Sequence, residues 1–213
     1  MNICIIGSGN VGGTLGSRFA KEGGHKVVFG ARNPNSNELK QLLSEAGPNT
    51  TAASVADAAK ASDVVLLATP WGATKNAIES AGDLSGKIVI DATNPLLPDL
   101  SGLEVGRDSS AGELVAQWAQ GAKVVKAFNT VGNNVMADSK FVSGRVAMFY
   151  CGDDTSAKKV AAGLATELGF DALDAGPLSQ CRVLEPFALL WISLAFKAGF
   201  GREIGFQFMR RGA

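Results

Sequence analysis

The sequence is poor in the side chains from which many catalytic and metal sites are built. It holds one histidine, His25, and three widely spaced cysteines, Cys4, Cys151 and Cys181. One histidine excludes zinc or iron sites made of several histidines, and His25 is badly placed for a Ser-His-Asp set. No pair of carboxylates has a convincing catalytic spacing. We therefore predict neither a metal site nor a catalytic side chain, and the cysteine pattern indicates reduced thiols in a cytoplasmic protein.

A surplus of charge and a long apolar run are also lacking. Lysine plus arginine and aspartate plus glutamate number 20 each, so the basic footprint of a nucleic-acid-binding protein is missing. The longest apolar run, residues 186–196, is shorter than the about 20 residues that a membrane span needs. The first residues have no basic stretch, and we expect no signal peptide there. The expected partner is a small molecule, neither nucleic acid nor membrane.

Short β-branched runs alternate with helical stretches along most of the chain. Helical spacing is clearest where Val11, Leu15 and Phe19 recur every four residues. Such alternation predicts an α/β fold, a Rossmann-type doubly wound and mainly parallel sheet with right-handed crossovers. The predicted strands are residues 3–6, 27–29, 64–68, 88–90, 124–127, 146–151 and 170–173, with a weaker one at 50–52.

The character of the chain changes near residue 176. We predict a dinucleotide-binding domain at residues 1–176 and a short helical appendage at residues 177–213. The appendage is more apolar than one surface helix face needs, which indicates cover by a second subunit, by a ligand, or by both.

A glycine-rich turn of the form G-x-G-x-x-G joins the first strand to the first helix. In this context the first glycine makes a tight turn, the second admits a pyrophosphate close to the backbone, and the third allows close helix–sheet packing. The helix N-terminus attracts the anion. The predicted cofactor-binding residues here are Gly7, Ser8, Gly9, Asn10, Val11 and Gly12.

The end of the second strand predicts which dinucleotide binds. An NAD-binding chain places an acid there for the ribose 2′-hydroxyl, whereas this chain has Ala31, Arg32 and Asn33 and no acid before Glu38. Arg32 can hold a 2′-phosphate by charge-assisted hydrogen bonds, with Asn33 as a helper. These residues therefore favour NADP(H) over NAD(H).

Polar and aromatic residues follow three further strands, where ligands of doubly wound sheets bind. The amides and hydroxyls suit ribose and carboxamide groups, and the rings of Trp71 and Phe128 offer flat apolar surface. Ordinary turn and helix-capping roles explain any single one of these residues equally well. The further predicted cofactor contacts are Thr69, Pro70, Trp71, Asn94, Pro95, Ala127, Phe128 and Asn129.

Together these motifs resemble the NADP oxidoreductase, coenzyme F420-dependent family over residues 1 to about 195. They also resemble the NADPH-binding cytosolic domain of six-transmembrane metalloreductases, which feeds a flavin. Members of the family often carry Ser or Thr beside the 2′-phosphate, where this chain has Ala31. The segments that carry the resemblance are residues 7–12, 30–32, 68–71, 91–95, 126–130 and 174–178, with Arg182 and residues 184–186.

The resemblance implies an NADP-dependent oxidoreductase that transfers a hydride directly between nicotinamide and a deazaflavin (coenzyme F420) or a flavin-like acceptor. Such a transfer needs orientation and exclusion of water rather than a general base. The expected acceptor-binding residues are Trp71, Asn129, Leu184, Pro186 and Leu190, although dimer packing explains the apolar tail as well, and we expect a homodimer.

Two alternatives stay open. One is a non-catalytic NADP(H) sensor that contacts a protein partner. The other is a reductase of another small substrate, since Lys197 resembles the catalytic lysine of hydroxyacid dehydrogenases. That enzyme class has an asparagine four residues later, where this chain has Gly201.

Overall fold

A computed structural model describes residues 1–212 and contains one large sheet and a small hairpin. All eight predicted strands are confirmed, and most of them are short apolar runs between turn-forming residues. The hairpin was not predicted, since its strands have only two residues each. The strands are β1 Asn2–Ile6, β2 Lys26–Gly30, β3 Thr50–Ala53, β4 Val64–Leu67, β5 Ile88–Asp91, β6 Lys123–Lys126, β7 Lys140–Phe141, β8 Gly144–Arg145, β9 Ala147–Gly152 and β10 Asp171–Asp174.

The large sheet has the strand order β10-β9-β6-β5-β4-β1-β2-β3. Strands β1 to β6 are parallel, and their order 3-2-1-4-5-6 is that of a dinucleotide-binding Rossmann sheet. Strand β9 is antiparallel to β6, and β10 is parallel to β9, so the last two strands run against the other six. The expected mainly parallel, doubly wound fold is confirmed.

Eight α-helices connect and cover these strands within the described residues. Side chains of Ser36, Ser54, Ser110 and Asp154 accept hydrogen bonds at the N-termini of α2, α3, α5 and α7, which accounts for where these helices begin. The helices are α1 Asn10–Lys21, α2 Asn37–Ala46, α3 Val55–Lys60, α4 Trp71–Ala81, α5 Ala111–Trp118, α6 Asn133–Ala137, α7 Thr155–Glu167 and α8 Cys181–Phe196.

Both faces of the sheet are buried. Along β1, Ile3 and Ile5 belong to one apolar cluster, while Cys4 and Ile6 belong to the cluster on the opposite face. This two-sided burial is why the parallel strands read as continuous apolar runs in the sequence.

The C-terminal segment is less helical than predicted for residues 177–213. A short 3₁₀ turn at Leu178–Gln180 leads into α8, which ends at Phe196, and Gly199 and Gly201 follow in left-handed conformations. From there to residue 212 the chain forms no further helix or strand and returns onto the sheet, where Phe206 accepts a hydrogen bond from the Ala147 amide (2.8 Å). Ala213 lies outside the described residues.

The appendage and the first 176 residues share a core. Leu178, Cys181 and Leu184 pack in the same apolar cluster as Val65 and Val89 of the central strands. No helix among residues 1–212 combines the length and the apolar character needed to cross a membrane.

Candidate functional site

The glycine-rich turn follows β1 and has the geometry of a phosphate cradle. Gly7 has a φ of 104°, and a Cβ there would lie 2.5 Å from the Ala68 carbonyl oxygen. A Cβ on Gly12 would overlap the Gly7 carbonyl oxygen and lie 2.9 Å from Ile5 Cγ2. A Cβ on Gly9, in contrast, would meet no heavy atom within 4 Å. The first and third glycines are therefore needed for packing, while the second faces open space.

Helix α1 begins directly behind this open space. Gly9 is its N-cap residue and makes no side-chain capping bond, and the first turn of α1 carries no acidic residue. The first amides of a helix have no intrahelical partner, and the helix dipole places partial positive charge there. The turn thus presents free N–H donors and a favourable potential to an anion.

Arg32 lies just beyond the carboxyl end of β2 and is exposed. Within residues 1–212 it has no carboxylate within ion-pair distance, so its guanidinium group is available to a ligand. Asn33 accepts a hydrogen bond from the Asn35 amide (3.2 Å) and shapes the loop toward α2. Gly30, the last residue of β2, lies in a tightly packed place, since a Cβ there would lie 3.3 Å from Ala58 Cβ and Val55 Cα.

The loop after β4 lies beside the phosphate cradle, because Ala68 and Thr69 contact the position of a Gly7 Cβ. Thr69 Oγ1 is hydrogen-bonded to Thr74 Oγ1 (2.9 Å), and Pro70 is the N-cap of α4. Trp71, the first residue of α4, is half-buried and stacks on Trp118 of α5 with ring centroids 5.3 Å apart. One face of the Trp71 ring is therefore already used by the protein.

The loops after β5 and β6 are joined by a pair of asparagines. Asn94 Nδ2 donates to the Asn129 carbonyl oxygen (2.9 Å), and Asn129 Nδ2 donates to Asn94 Oδ1 (3.0 Å). Asn129 Nδ2 also reaches the carbonyl oxygen of Leu184 on α8 (3.4 Å). The side chain of Asn129 is buried, and its Oδ1 atom has no hydrogen-bond partner in the described residues. A buried acceptor without a partner is costly, so this atom is free to accept a hydrogen bond from a donor outside the described residues.

One expectation about this region is corrected. Phe128 does not offer its ring to a ligand, because the side chain is 0% exposed and packs edge-on against Phe19 with ring centroids 5.9 Å apart. Its φ of 62° is a left-handed conformation rare for a large side chain, and it turns the backbone sharply between β6 and Asn129. Ala127 and Pro95 are buried as well, so these positions can offer a ligand little beyond backbone atoms.

Three buried charged residues lie directly under the asparagine pair and were missed from the sequence. Lys126 Nζ lies 2.6 Å from Asp91 Oδ2 and 2.9 Å from Glu185 Oε1, and it donates to the Thr93 carbonyl oxygen (3.0 Å). Burial alone would lower the pKa of Lys126, but the two carboxylates outweigh it and hold that pKa above its ordinary range. Asp91 and Lys126 are paired in register on β5 and β6. This register was the signal: two opposite charges end neighbouring apolar strands.

The predicted acceptor residues of α8 do not share one environment. Leu184 is buried under the asparagine pair, whereas Pro186 and Leu190 lie on the exposed side of the helix. Further along α8, Trp191 donates to the Ile204 carbonyl oxygen (2.9 Å). Beside it lies a partly open apolar pocket of about 210 Å³, lined by Trp191, Leu194, Phe200, Ile204, Gly205 and Phe206.

His25 lies at the turn that enters β2, away from the carboxyl ends of the strands. Its Nε2 is 2.8 Å from Glu167 Oε2, and its Nδ1 is 3.2 Å from the Met1 amino group. These contacts tie β2 to the end of α7. Lys197 follows α8 and donates to the Leu100 carbonyl oxygen (2.9 Å), so its ammonium group is engaged with backbone.

Comparison with known proteins places this arrangement in a family. The model of the family described as NADP oxidoreductase, coenzyme F420-dependent, matches residues 2–95, which carry the phosphate cradle, Arg32 and Asn94. An F420-dependent NADP reductase from Methanocaldococcus jannaschii is 32% identical over 92% of this chain and 93% of its own length. The chain belongs to the coenzyme F420-dependent NADP oxidoreductase family.

Two further relatives agree with this membership of the F420-dependent NADP oxidoreductases. A crystal structure from Arthrobacter sp. FB24, provisionally named an F420-dependent NADP reductase, has a TM-score of 0.89 and 32% identity, covering 99% of this chain and 100% of its own. The metalloreductase STEAP3 of Rattus norvegicus is 28% identical over 87% of this chain but only 36% of its own length. Both resemblances expected from the sequence are confirmed, and the chain is an NADP-dependent oxidoreductase.

Proposed function

We propose that this protein binds NADP(H) across the carboxyl ends of β1, β2, β4, β5 and β6 and exchanges a hydride with a deazaflavin of the coenzyme F420 type. The observation that carries the proposal is the combination of an open phosphate cradle with an unpaired arginine, and no acid, after β2. The names of the relatives support the choice of deazaflavin as acceptor. A flavin-like acceptor is the second choice.

The residues present fit the dinucleotide at both ends. The amides of residues 8–12 would hold the pyrophosphate, and Gly9 leaves room for it. Arg32, with Ala31 and Asn33 beside it, would hold the 2′-phosphate. At the other end, Asn129 Oδ1 is a buried acceptor with no partner among residues 1–212, which suits the carboxamide N–H groups of nicotinamide.

The work of the protein in this proposal is orientation. Nicotinamide, when bound, supplies or accepts the hydride, and hydride transfer is fastest when the reacting carbons are held about 3–3.5 Å apart in a dry site. The Asn94–Asn129 pair fixes the loops after β5 and β6, and buried Leu184 keeps water from the space beside them. We assign no general acid or base.

The acceptor would bind between Trp71 and Asn129 on the sheet side and α8 on the other. Leu184 is proposed as part of its apolar wall, with residues 177–212 covering the site, whereas the expected contacts Pro186 and Leu190 lie on the exposed side of α8. The carbonyl oxygen of Leu184 already contacts Asn129, so this part of α8 adjoins the proposed nicotinamide position.

A spectrophotometric assay tests the proposal. NADPH oxidation is followed at 340 nm with deazaflavin, FMN, FAD and quinones as separate acceptors, and with NADH in place of NADPH. We expect turnover with deazaflavin and a clear preference for NADPH. Turnover with FMN or FAD but not with deazaflavin would show that the acceptor is a flavin instead. Tight NADPH binding without turnover of any acceptor would instead support the non-catalytic sensor.

We also propose that two copies associate through α8 and that the dimer acts in the cytoplasm. Val183, Pro186 and Leu190 recur at helical spacing on the exposed side of α8, and Val183 and Leu190 are 59% and 47% exposed. A Leu190→Asp variant should lower the mass measured by analytical ultracentrifugation from dimer to monomer. Val142→Asp is the control substitution, because Val142 is exposed but lies in the β7–β8 hairpin and not on α8.

A further inference from the structure

Glu185 is a carboxylate of α8 that lies among otherwise uncharged buried side chains of that helix. It is 1% exposed, and its Oε1 atom lies 2.9 Å from Lys126 Nζ. The same carboxylate accepts hydrogen bonds from the Ala111 amide (2.9 Å) and the Gly112 amide (3.0 Å) at the start of α5. Glu185 therefore joins α8 to the end of β6 and to the N-terminus of α5 at once.

The buried cluster also sets the loop that carries Asn94. Asp91 Oδ1 accepts hydrogen bonds from the Thr93 amide (2.9 Å) and hydroxyl (2.7 Å), and Lys126 holds the Thr93 carbonyl oxygen. Lys126 Nζ has three oxygens within 3.0 Å, from Asp91, Glu185 and Thr93. A buried network of opposite charges at such short distances favours a single arrangement of the backbone around it.

The residue before Glu185 extends this control to Asn129. The Leu184 carbonyl oxygen accepts from Asn129 Nδ2, and Asn129 is in turn bonded to Asn94. A shift of α8 would therefore move the Leu184 carbonyl and release one of the contacts that orient the Asn129 amide. The chain of contacts runs from the N-terminus of α5 through Glu185 and Leu184 to the asparagine pair.

We propose that Glu185 is a positioning residue for hydride transfer: it clamps α8 onto Lys126 and α5, and the clamp holds the Asn94–Asn129 pair and the acceptor wall in register. This inference rests on the proposed function. Glu185 touches neither proposed ligand, and it acts through Leu184, Asn129 and the backbone of residues 92–95.

The decisive variant is Glu185→Gln, which keeps the shape of the side chain and removes its charge from Lys126 and the two amides. Glu113→Gln is the matched control, because Glu113 also joins α5 to α8, through an ion pair with Arg182 Nη2 (2.7 Å), at a more exposed position. Both variants are compared with the unaltered protein in thermal unfolding, in NADPH affinity by calorimetry, and in steady-state kinetics with deazaflavin. Kinetics are repeated with NADPH deuterated at C4.

We expect Glu185→Gln to lower kcat by roughly ten- to hundredfold, since a displacement of about 1 Å can cost that much, while the Kd for NADPH stays within about twofold. The deuterium isotope effect on kcat should rise, because the transfer step becomes slower relative to product release. Glu113→Gln should change kcat by less than about twofold.

Two results would overturn the positioning role. One is an unchanged kcat in Glu185→Gln; the other is a parallel loss of NADPH affinity and kcat, which is the mark of general unfolding. If Glu185→Gln is unfolded at 25 °C, Glu185→Asp is used instead, because it keeps the charge but shortens the side chain. A lower kcat with an unchanged Kd for NADPH then supports the positioning role, and an unchanged kcat overturns it. Absence of turnover in the unaltered protein with every acceptor overturns the proposed function instead, so the two failures are distinct.

Discussion

Replacement of Arg32 by alanine gives the sharpest test of nucleotide choice. The guanidinium group is exposed and has no ion pair within residues 1–212, so its loss should leave the fold unchanged within about 0.5 kcal/mol. Charge-assisted hydrogen bonds to a phosphate contribute about 1.5–3 kcal/mol. That energy corresponds to an increase of about ten- to hundredfold in the Kd for NADPH. NADH lacks the 2′-phosphate, and its Kd should change by less than about twofold.

Isothermal titration calorimetry of both nucleotides against both proteins measures these four constants directly. Arg145→Ala is a suitable control, because Arg145 is also an exposed arginine and lies in the β7–β8 hairpin. The preference of the unaltered protein for NADPH should also narrow as the salt concentration rises, since an exposed charge pair is screened. Equal weakening of NADPH and NADH in Arg32→Ala would refute the placement of the 2′-phosphate. So would an unaltered protein that binds NADH as tightly as NADPH.

Three further substitutions test nucleotide binding, packing of the glycine-rich turn, and the pH dependence of stability. Gly9→Val should abolish NADPH binding in a fluorescence titration with little change in melting temperature, because its side chain enters the open space proposed for the pyrophosphate; retained binding contradicts this. Gly12→Ala should cost about 1–3 kcal/mol of stability and lower the melting temperature by several degrees, since its Cβ overlaps the Gly7 carbonyl oxygen. Burial raises the pKa of the Cys4 thiol from 9.0 to about 12, so the stability tied to its neutral form is complete below pH 9 and is lost as pH rises toward 12. Urea unfolding across that range should show a steeper decline than in Cys4→Ala, by up to about 1.4 kcal/mol per pH unit, and identical slopes would refute it.

The Rossmann half of the molecule was predictable because its signals are local. Runs such as residues 3–6 and 64–68 combine β-branched side chains with flanking turn residues, and the first and third glycines of the pattern after β1, Gly7 and Gly12, have a steric reason in the fold. The same local reasoning located the ends of β4, β5 and β6. It failed for the side chain of Phe128, because whether a residue after a strand faces the ligand or the core depends on its φ, here 62°.

The C-terminal region was harder because long-range contacts decide its structure. Gly199 and Gly201 are helix-stop signals, but nothing in the sequence after residue 176 indicates that Phe206 returns to β9. Glu185 reads as a solvated residue on a helix, yet it is buried against an ammonium group 59 positions away in the sequence, at Lys126. The directions of β9 and β10 also follow from packing rather than from their composition.

The complete enclosure of Lys126 makes that side chain an internal reporter. The Lys126 amine is 0% exposed and does not react with acylating reagents in the folded protein, whereas lysines on the surface react quickly. Because Glu185 and α8 cover it, acylation of Lys126 would proceed only during moments when the helix lifts from the sheet. The rate of Lys126 acylation would therefore report how often α8 opens locally. A bound nucleotide or acceptor that stabilises the closed position of α8 should lower this rate.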